Sequence, residues 1–331
     1  MRSRLQRLTW RHEFWLLMVI LLVCIVLSRT TDQFLTLQNA SDLITSNAFV
    51  GILGAGLIVV LVSGGIDISF TATASIAQYV AMTVAVRYGA NWFSAFAIAG
   101  AVGLALGLVN AAVVRACRIP SIIATIATLN IFYGLLVYVT GGKYIYSLPD
   151  WFDAGINLFA FRDAAQNYYS LNLQMIVLAG TMVLTWIILN RLSLGRQIYA
   201  LGGNPEAAQR IGLKVARIQF FVYGYMGFVA GIASLVDAQL SQSVAPTVLV
   251  GRELNVLAAV VLGGASLLGG VGTVGGTILG VILLAIIQNG LILSGVSSYW
   301  SQLVVGLVIL AAVSATAVQG RRAARARSVT A

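Results

Sequence analysis

Between residues 254 and 320 the chain carries no Asp, Glu, Lys or Arg. In water so long an uncharged stretch would expose apolar surface with nothing to solvate it. A helix crosses a bilayer with about 20 mostly apolar residues, because it rises about 1.5 Å per residue through about 30 Å of hydrocarbon. The stretch therefore accommodates about three spans, with breaks expected at residues 263–276 and 294–301, where Gly and Ser gather. Comparable apolar runs cover residues 13–28, 48–62, 70–86, 92–114, 121–140, 173–190 and 220–235. The sequence predicts an all-α polytopic membrane protein with about ten transmembrane helices, forming one transmembrane domain over residues 1–331.

Composition excludes the soluble alternatives. Apolar types make up 59 % of the 331 residues and charged types 9 %, and the mean hydropathy is +0.93. A soluble domain averages about 25 % charged residues, and a disordered chain needs more charge still. The solvent for most of this chain is the lipid bilayer. The net charge of +10 does not imply nucleic acid as a partner, because the arginines sit at chain ends and between apolar runs rather than on one folded face. With the N-terminus inside and sides alternating across ten spans, 15 of the 20 Lys and Arg fall on the inner side, at residues 2–11, 115–118, 191–217 and 321–327. The positive-inside rule then places both termini in the cytoplasm. Arg2, Arg4, Arg7 and Arg11 precede the first run as they would in a signal peptide. Val26-Leu27-Ser28-Arg29 is not a small-x-small cleavage site, so the run reads as a retained helix.

Several chemistries are missing. Cys24, Cys117 and His12 have no metal-ligand spacing. Gly141-Gly142-Lys143-Tyr144 lacks the hydroxyl residue and upstream glycine of a phosphate-binding loop. No metal, bound cofactor or catalytic residue is expected, and no catalytic cluster marks a membrane enzyme. Asp67, Asp237 and Glu253 come closest to being intramembrane charges, and all three fall near predicted span ends. The spans thus read as electrically quiet, whereas an ion-coupled carrier usually keeps ionisable groups inside its spans. Energy for transport comes from outside the chain, or the protein is a passive channel.

Two segments look purposeful. In the basic stretch 191–217, Asn204 suits an N-cap and Pro205 the first helical position. Glu206 complements the helix dipole and Gly212 is placed to end the helix. These signals predict a short amphipathic helix over residues 205–211, with Ala207 and Ala208 exposed for close contact. Spacing alone does not separate it from a simple connector. In the second segment, Ser63-Gly64-Gly65-Ile66-Asp67-Ile68-Ser69, the glycines loosen the helix. Asp67 or Ser69 then either caps the next helix or lines a wet path beside unwound backbone. Gln78, Asn130, Tyr133, Gln288 and Asn289 are polar within apolar runs. They serve either interhelical hydrogen bonds or contacts to a polar solute. Phe70, Tyr223 and Tyr225 read as ordinary packing. Gly103 and Gly107, and Gly272, Gly276 and Gly280, repeat every fourth residue and predict close helix packing within or between chains.

Gly202-Gly203-Asn204-Pro205-Glu206-Ala207-Ala208, with Gly212 following, resembles the cytoplasmic coupling loop of permease subunits in the ribose-type, simple-sugar branch of ABC importers. Residues 61–69 resemble the family's SGGIDLS segment, and residues 260–277 its glycine-rich C-terminal segment, followed by Asn289-Gly290-Leu291. The resemblance spans nearly the whole chain, in order. It implies a permease in a bacterial inner membrane that moves a simple sugar or related polyol. It also implies a cytoplasmic ABC ATPase that holds the ATP, a periplasmic sugar-binding protein, and a second permease subunit, identical or different. By the same resemblance, residues 202–208 and Gly212 couple to the ATPase. A passive channel or an ion-coupled carrier for a small polar solute is the competing reading.

Overall fold

The computed structural model describes residues 12–162 and 168–296, with residues 300, 302–304, 306, 307 and 310. In chain order the helices are α1 (His12–Thr30), α2 (Leu37–Ser46), α3 (Ala48–Val62), α4 (Phe70–Tyr88), α5 (Trp92–Cys117), α6 (Ser121–Thr140) and α7 (Asp150–Asp153). After the strands β1 (Asn157–Arg162) and β2 (Tyr168–Asn172) come α8 (Leu173–Asn190), α9 (Ser193–Gly203), α10 (Pro205–Arg210), α11 (Val215–Ser241), α12 (Glu253–Leu262) and α13 (Val274–Leu293).

Among the described residues six helices are long and apolar enough to cross a membrane: α1, α5, α6, α8, α11 and α13. Counting the α2–α3 pair, bent by 50°, as one span makes seven. The departures from about ten have local causes. α4 has 19 residues but carries Thr71, Thr73, Ser75 and Gln78, all buried in protein rather than facing lipid. α12 has only 10 residues, about 15 Å at 1.5 Å per residue, and so is half a span. The last predicted span begins after the break at 294–301 and lies largely outside the described residues, as do both basic termini. The polar stretch after α6 adds one element that the all-α expectation lacked. β1 and β2 pair antiparallel, with a register irregularity between Asn157 and Ala160.

α3 is the axis of the bundle. Every one of its residues except Val50 is buried, which is why it is apolar on all sides. α8, α11, α12 and α13 pack around it, and α11 also packs along α4 and α5. α1 lies outermost, on α13. Its exposed Trp15, Leu22, Ile25 and Val26 suit lipid.

The most extensive helix contact joins α5 and α11. A Cβ built on Gly103 would overlap the Gly227 carbonyl, one on Gly107 the Tyr223 carbonyl, and one on Gly231 the Ala99 carbonyl. The predicted small-residue packing is thus made within one chain here. Gly276 and Gly280 likewise press on Gly263 and Ala259 of the α12 segment. Gly272 does not continue that face, because it lies before α13 with φ of 154°.

The ends of the bundle differ. At one end gather α9, α10, the loop after α12 and the start of α1, where His12 Nε2 lies 2.9 Å from the Leu262 carbonyl. Arg115 and Arg118 flank the start of α11 at this same end. The β-hairpin lies at the opposite ends of α8 and α11, where the Ile145–Val244 bridge also forms.

Gly227→Val is expected to force α5 and α11 apart and abolish the folded, monodisperse protein. Gly134→Ala, where a Cβ meets nothing within 4 Å, is expected to be neutral or to stabilise by about 0.5–1 kcal/mol. Fluorescence-detected size exclusion and thermal unfolding in detergent check both.

Candidate functional site

α10 is built by the local code its sequence predicts. Asn204 Oδ1 accepts from the Ala207 N–H at 3.0 Å, and Pro205 takes the first helical position. At the other end Gly212 has φ of 84°. Its N–H donates to the Gln209 carbonyl at 3.0 Å, and the Leu213 N–H to the Ala208 carbonyl at 3.1 Å. This is a Schellman closure, which satisfies carbonyls that the helix end leaves free. Ala207 is exposed, but Ala208 is 2 % exposed. The expectation that both alanines face outward is corrected, because α10 lies on the bundle through Ala208 and packs into the central core. Glu206 and Arg210 point to solvent 3.9 Å apart, an exposed pair worth about 0–1 kcal/mol. Their charges remain free for a partner.

No motif announces α9, which binds the residues before α10 to the core. A Cβ on Gly202 would overlap the Val62 carbonyl at the end of α3 and come within 2.7 Å of the Gly270 nitrogen. The Gly270 N–H donates to that Val62 carbonyl at 2.9 Å. Gly269, at φ of 90°, leaves room for a Cβ only 2.6 Å from the Gly64 Cα. Tyr199 of α9 donates its hydroxyl to the Gly272 carbonyl at 2.7 Å. Burial holds the Tyr199 phenol above its ordinary pKa, so it stays a donor. Segments 63–65, 202–203 and 269–270 therefore meet backbone to backbone. Exposed Gly203 lies at the rim, 2.8 Å from a Cβ built on Gly270.

Segment 63–69 leaves α3 through the same closure as α10. The Gly64 N–H donates to the Leu61 carbonyl at 2.9 Å and the Gly65 N–H to the Val60 carbonyl at 3.2 Å, with Gly64 at φ of 84°. α12 ends alike, through the Gly264 and Ala265 N–H groups to the Val261 and Val260 carbonyls. Beyond Gly65 the chain is extended, and α6 supplies its partners. The Ile66 N–H donates to Ser121 Oγ at 2.9 Å and the Ile68 N–H to Thr125 Oγ1 at 3.2 Å. Unwound backbone survives inside a membrane protein only with such partners.

Asp67 is 2 % exposed and Ser69 fully buried. Neither side chain bonds the free N–H groups of α4. Asp67 Oδ1 instead accepts from the Ser69 N–H at 2.8 Å and the Ser69 hydroxyl at 2.6 Å. Asn110 Nδ2 of α5 then donates to Ser69 Oγ at 2.6 Å. Asn110 Oδ1 is buried without a partner among the described residues. Tyr223, expected as packing, brings its hydroxyl within 2.6 Å of a Cβ built on Gly65 and bonds Ser121. Tyr225 pairs with Thr185 at 2.7 Å.

The other polar candidates do not join this cluster. Gln78 donates to the Ser234 carbonyl at 3.0 Å, linking α4 to α11. Asn130 is exposed on α6, bonded to its own helix at Ile126, and Tyr133 is half-buried on the same helix. Asn289 and Asn39 exchange two amide hydrogen bonds, at 2.8 and 3.1 Å, between α13 and α2, and Gln288 lies half-buried beside them.

The bundle interior is not electrically quiet, contrary to expectation, but its charges are partnered. Asp237 lies within α11, whose helix runs six residues past the predicted span end at 235, and accepts from Arg252 at 2.8 Å. The Glu253 carboxylate receives the Thr71 hydroxyl and the Gly251 N–H. Among the described residues no three His, Cys, Asp or Glu converge as metal ligands.

The bundle thus holds a polar seam inside and a solvent-facing helix locked to it. A family model for the permease component of branched-chain amino acid transport systems matches residues 39–313. The chain is 32 % identical to the ribose import permease protein RbsC of Escherichia coli (strain K12), covering 92 % of this chain and 93 % of that protein. It is 30 % identical to the galactose/methyl galactoside import permease protein MglC of Salmonella typhimurium, covering 93 % and 94 %. It is also 30 % identical to the autoinducer 2 import system permease protein LsrC of Photorhabdus luminescens, covering 91 % and 88 %. No solved structure matches. The chain belongs to this permease family, in the ribose-type branch of the ABC importers, and is a multi-pass protein of the bacterial inner membrane.

Asp67→Ala strands the Ser69 N–H and hydroxyl in a buried site. It is expected to destabilise by about 1.5–3 kcal/mol, the worth of a hydrogen bond to a charged group. Asp67→Asn keeps the accepting oxygen and is expected to lose less than half of that. Thermal unfolding in detergent compares the two.

Proposed function

We propose that this chain is the membrane subunit of an ATP-driven importer for a simple sugar or related polyol. A second permease subunit, the same or a different chain, completes the translocation path. A cytoplasmic ABC ATPase binds and hydrolyses the ATP, and a periplasmic sugar-binding protein delivers the solute. The names of the relatives supply the solute class. The observation that carries the mechanism is the junction at Gly202, where α9 meets the ends of α3 and the loop after α12.

The ATPase grips the exposed face of α10, at Asn204, Pro205, Glu206 and Ala207. Buried Ala208 and the Gly212 closure hold α10 to the bundle, so a push on it moves α9. Gly202 and Gly203 then carry the displacement to Val62 and Gly270 without an intervening side chain to absorb it. The ends of α3 and α12 shift together, and segment 63–69 changes its pairing with Ser121, Thr125 and Asn110 beside the path. Ser63, Gly64, Gly65, Asp67 and Ser69 are thus the inner gate of this account. Asn130 and Tyr133, on the outward side of α6, face the second subunit in the assembled pair.

The buried Asp237 and Glu253, with half-buried Arg252 paired to Asp237, favour one other reading, an ion-coupled carrier. Uptake into vesicles lacking the ATPase, driven by a proton or sodium gradient alone, would support that reading and contradict the present one.

In proteoliposomes holding the permease, its ATPase and its binding protein, Ala207→Glu and Glu206→Lys, both at exposed positions of α10, are expected to leave insertion intact and ATP hydrolysis running. Uptake per ATP falls by roughly 5–150-fold, the range that coupling energies of about 1–3 kcal/mol represent. Wild-type uptake per ATP in both variants would remove α10 from the coupling role.

A further inference from the structure

At the end of the bundle opposite α10, a cavity of about 310 Å³ opens between the start of α8, the end of α11 and the β-hairpin. Its size is at the lower end of ligand sites, which run from about 300 to 1,000 Å³. Among the described residues, none of those lining it is charged. Its polar groups are neutral amides and hydroxyls, chiefly Asn157, Ser170, Gln174, Gln239 and Gln242. A second cavity of equal volume, between α2, α8 and α13, is lined by Leu43, Met175, Leu178 and Ile278. The crevice beside Arg115 and Arg118 is polar but charged, so what marks this cavity is a lining that is polar and neutral.

The amides are held in place but only half used. Gln174, which is 3 % exposed, donates through Nε2 to Gln239 Oε1. Ser170 donates to Asn157 Oδ1 at 2.9 Å, and Gln242 Nε2 donates to the Gln239 carbonyl at 2.7 Å. Among the described residues this leaves the Gln239 and Asn157 amino groups as unspent donors. It leaves the Gln174 and Gln242 side-chain carbonyls as unspent acceptors. Among the described residues the lining offers no carboxylate to neutralise a cation, no Arg or Lys to neutralise an anion, and no continuous apolar wall. Neighbouring hydroxyl groups, each both donor and acceptor, match alternating amide donors and acceptors.

We propose that this cavity is a receiving site for an uncharged polyhydroxyl solute at the outer mouth of the permease, ahead of the gate at 63–69. The assignment rests on the importer reading for which face is outer, and on the local chemistry for what binds. The site gives the permease a selectivity step of its own: neutral polyols are held and charged analogues are turned away.

The test uses the full chain in lipid nanodiscs, free of sugar-headed detergent, with saturation-transfer NMR to D-ribose, D-galactose and the anion D-gluconate. Transfer to one or both sugars is expected, with several-fold less to gluconate. Gln239→Leu would strand buried Gln174, so the double variant Asn157→Ala/Gln242→Ala, at two exposed positions, carries the decision. It is expected to lose transfer several-fold at an unchanged thermal midpoint. Three results overturn the site: no transfer to either sugar, equal transfer to gluconate, or undiminished transfer in the double variant. Stimulation of the partner ATPase is measured separately on the same preparations. A chain that binds sugar but stimulates no ATPase removes the importer reading and keeps the site. Stimulation without sugar transfer does the reverse.

Discussion

The carbonyl of Val62 is the point on which the molecule turns. It is one of the acceptors that the end of a helix leaves free, and inside a membrane protein a free acceptor must find a donor. Gly270, more than two hundred residues away, supplies that donor at 2.9 Å. Gly202 lies so close that a single methyl group would collide with the bond. Three distant segments thus share one contact, and in the proposed coupling they move together. Close-packed interiors transmit displacement instead of absorbing it, so the junction behaves as a joint between the solvent-facing α9–α10 pair and the two half-length helices α3 and α12.

Those half-helices give the joint something to act on. α3 and α12 end in the same glycine closure, and each releases the chain into irregular backbone. After α3 that backbone is held by hydroxyl groups of α6 and by the Asp67–Ser69–Asn110 chain. Such an arrangement is firm in one position and can be exchanged for another of similar energy, because each partner is a single side-chain hydrogen bond worth about 1 kcal/mol net. The glycine seam between α5 and α11 supplies the opposite property, a rigid frame with backbones too close to slide. In the proposed mechanism, motion at the joint is channelled toward the seam beside α6.

Much of this was legible in the sequence where the code is local. The apolar runs gave the membrane class, and Asn204, Pro205 and Gly212 gave α10 and both of its closures. Gly103 and Gly107 gave a tight face, though not its partner on α11. What stayed hidden depends on chain segments far apart. Nothing near Gly202 announces Val62 or Gly270, because a glycine used for close approach looks the same in sequence as one used for a turn. Ala208 could not be assigned to the buried side, since α10 has too few turns for a periodicity to show. Asp237 and Glu253 were placed near span ends because α11 runs past its apolar stretch and α12 starts at Glu253 as half a helix. Asn110, polar within the run 92–114, carries the same signal as Gln78, whereas the Tyr223 hydroxyl carries none distinct from ordinary packing. The β-hairpin falls in a polar stretch with no strong alternation.

The central claim is that α10 and segment 63–69 move as one body. Spin labels on exposed Gln209 of α10 and on Ile66, with a third on exposed Ile123 of α6, allow pulsed distance measurements across the ATP cycle of the assembled importer. The account predicts that the 209–66 distance stays constant while the 66–123 distance changes between the nucleotide-free and ATP-bound states. A 209–66 distance that changes while 66–123 stays fixed would contradict it.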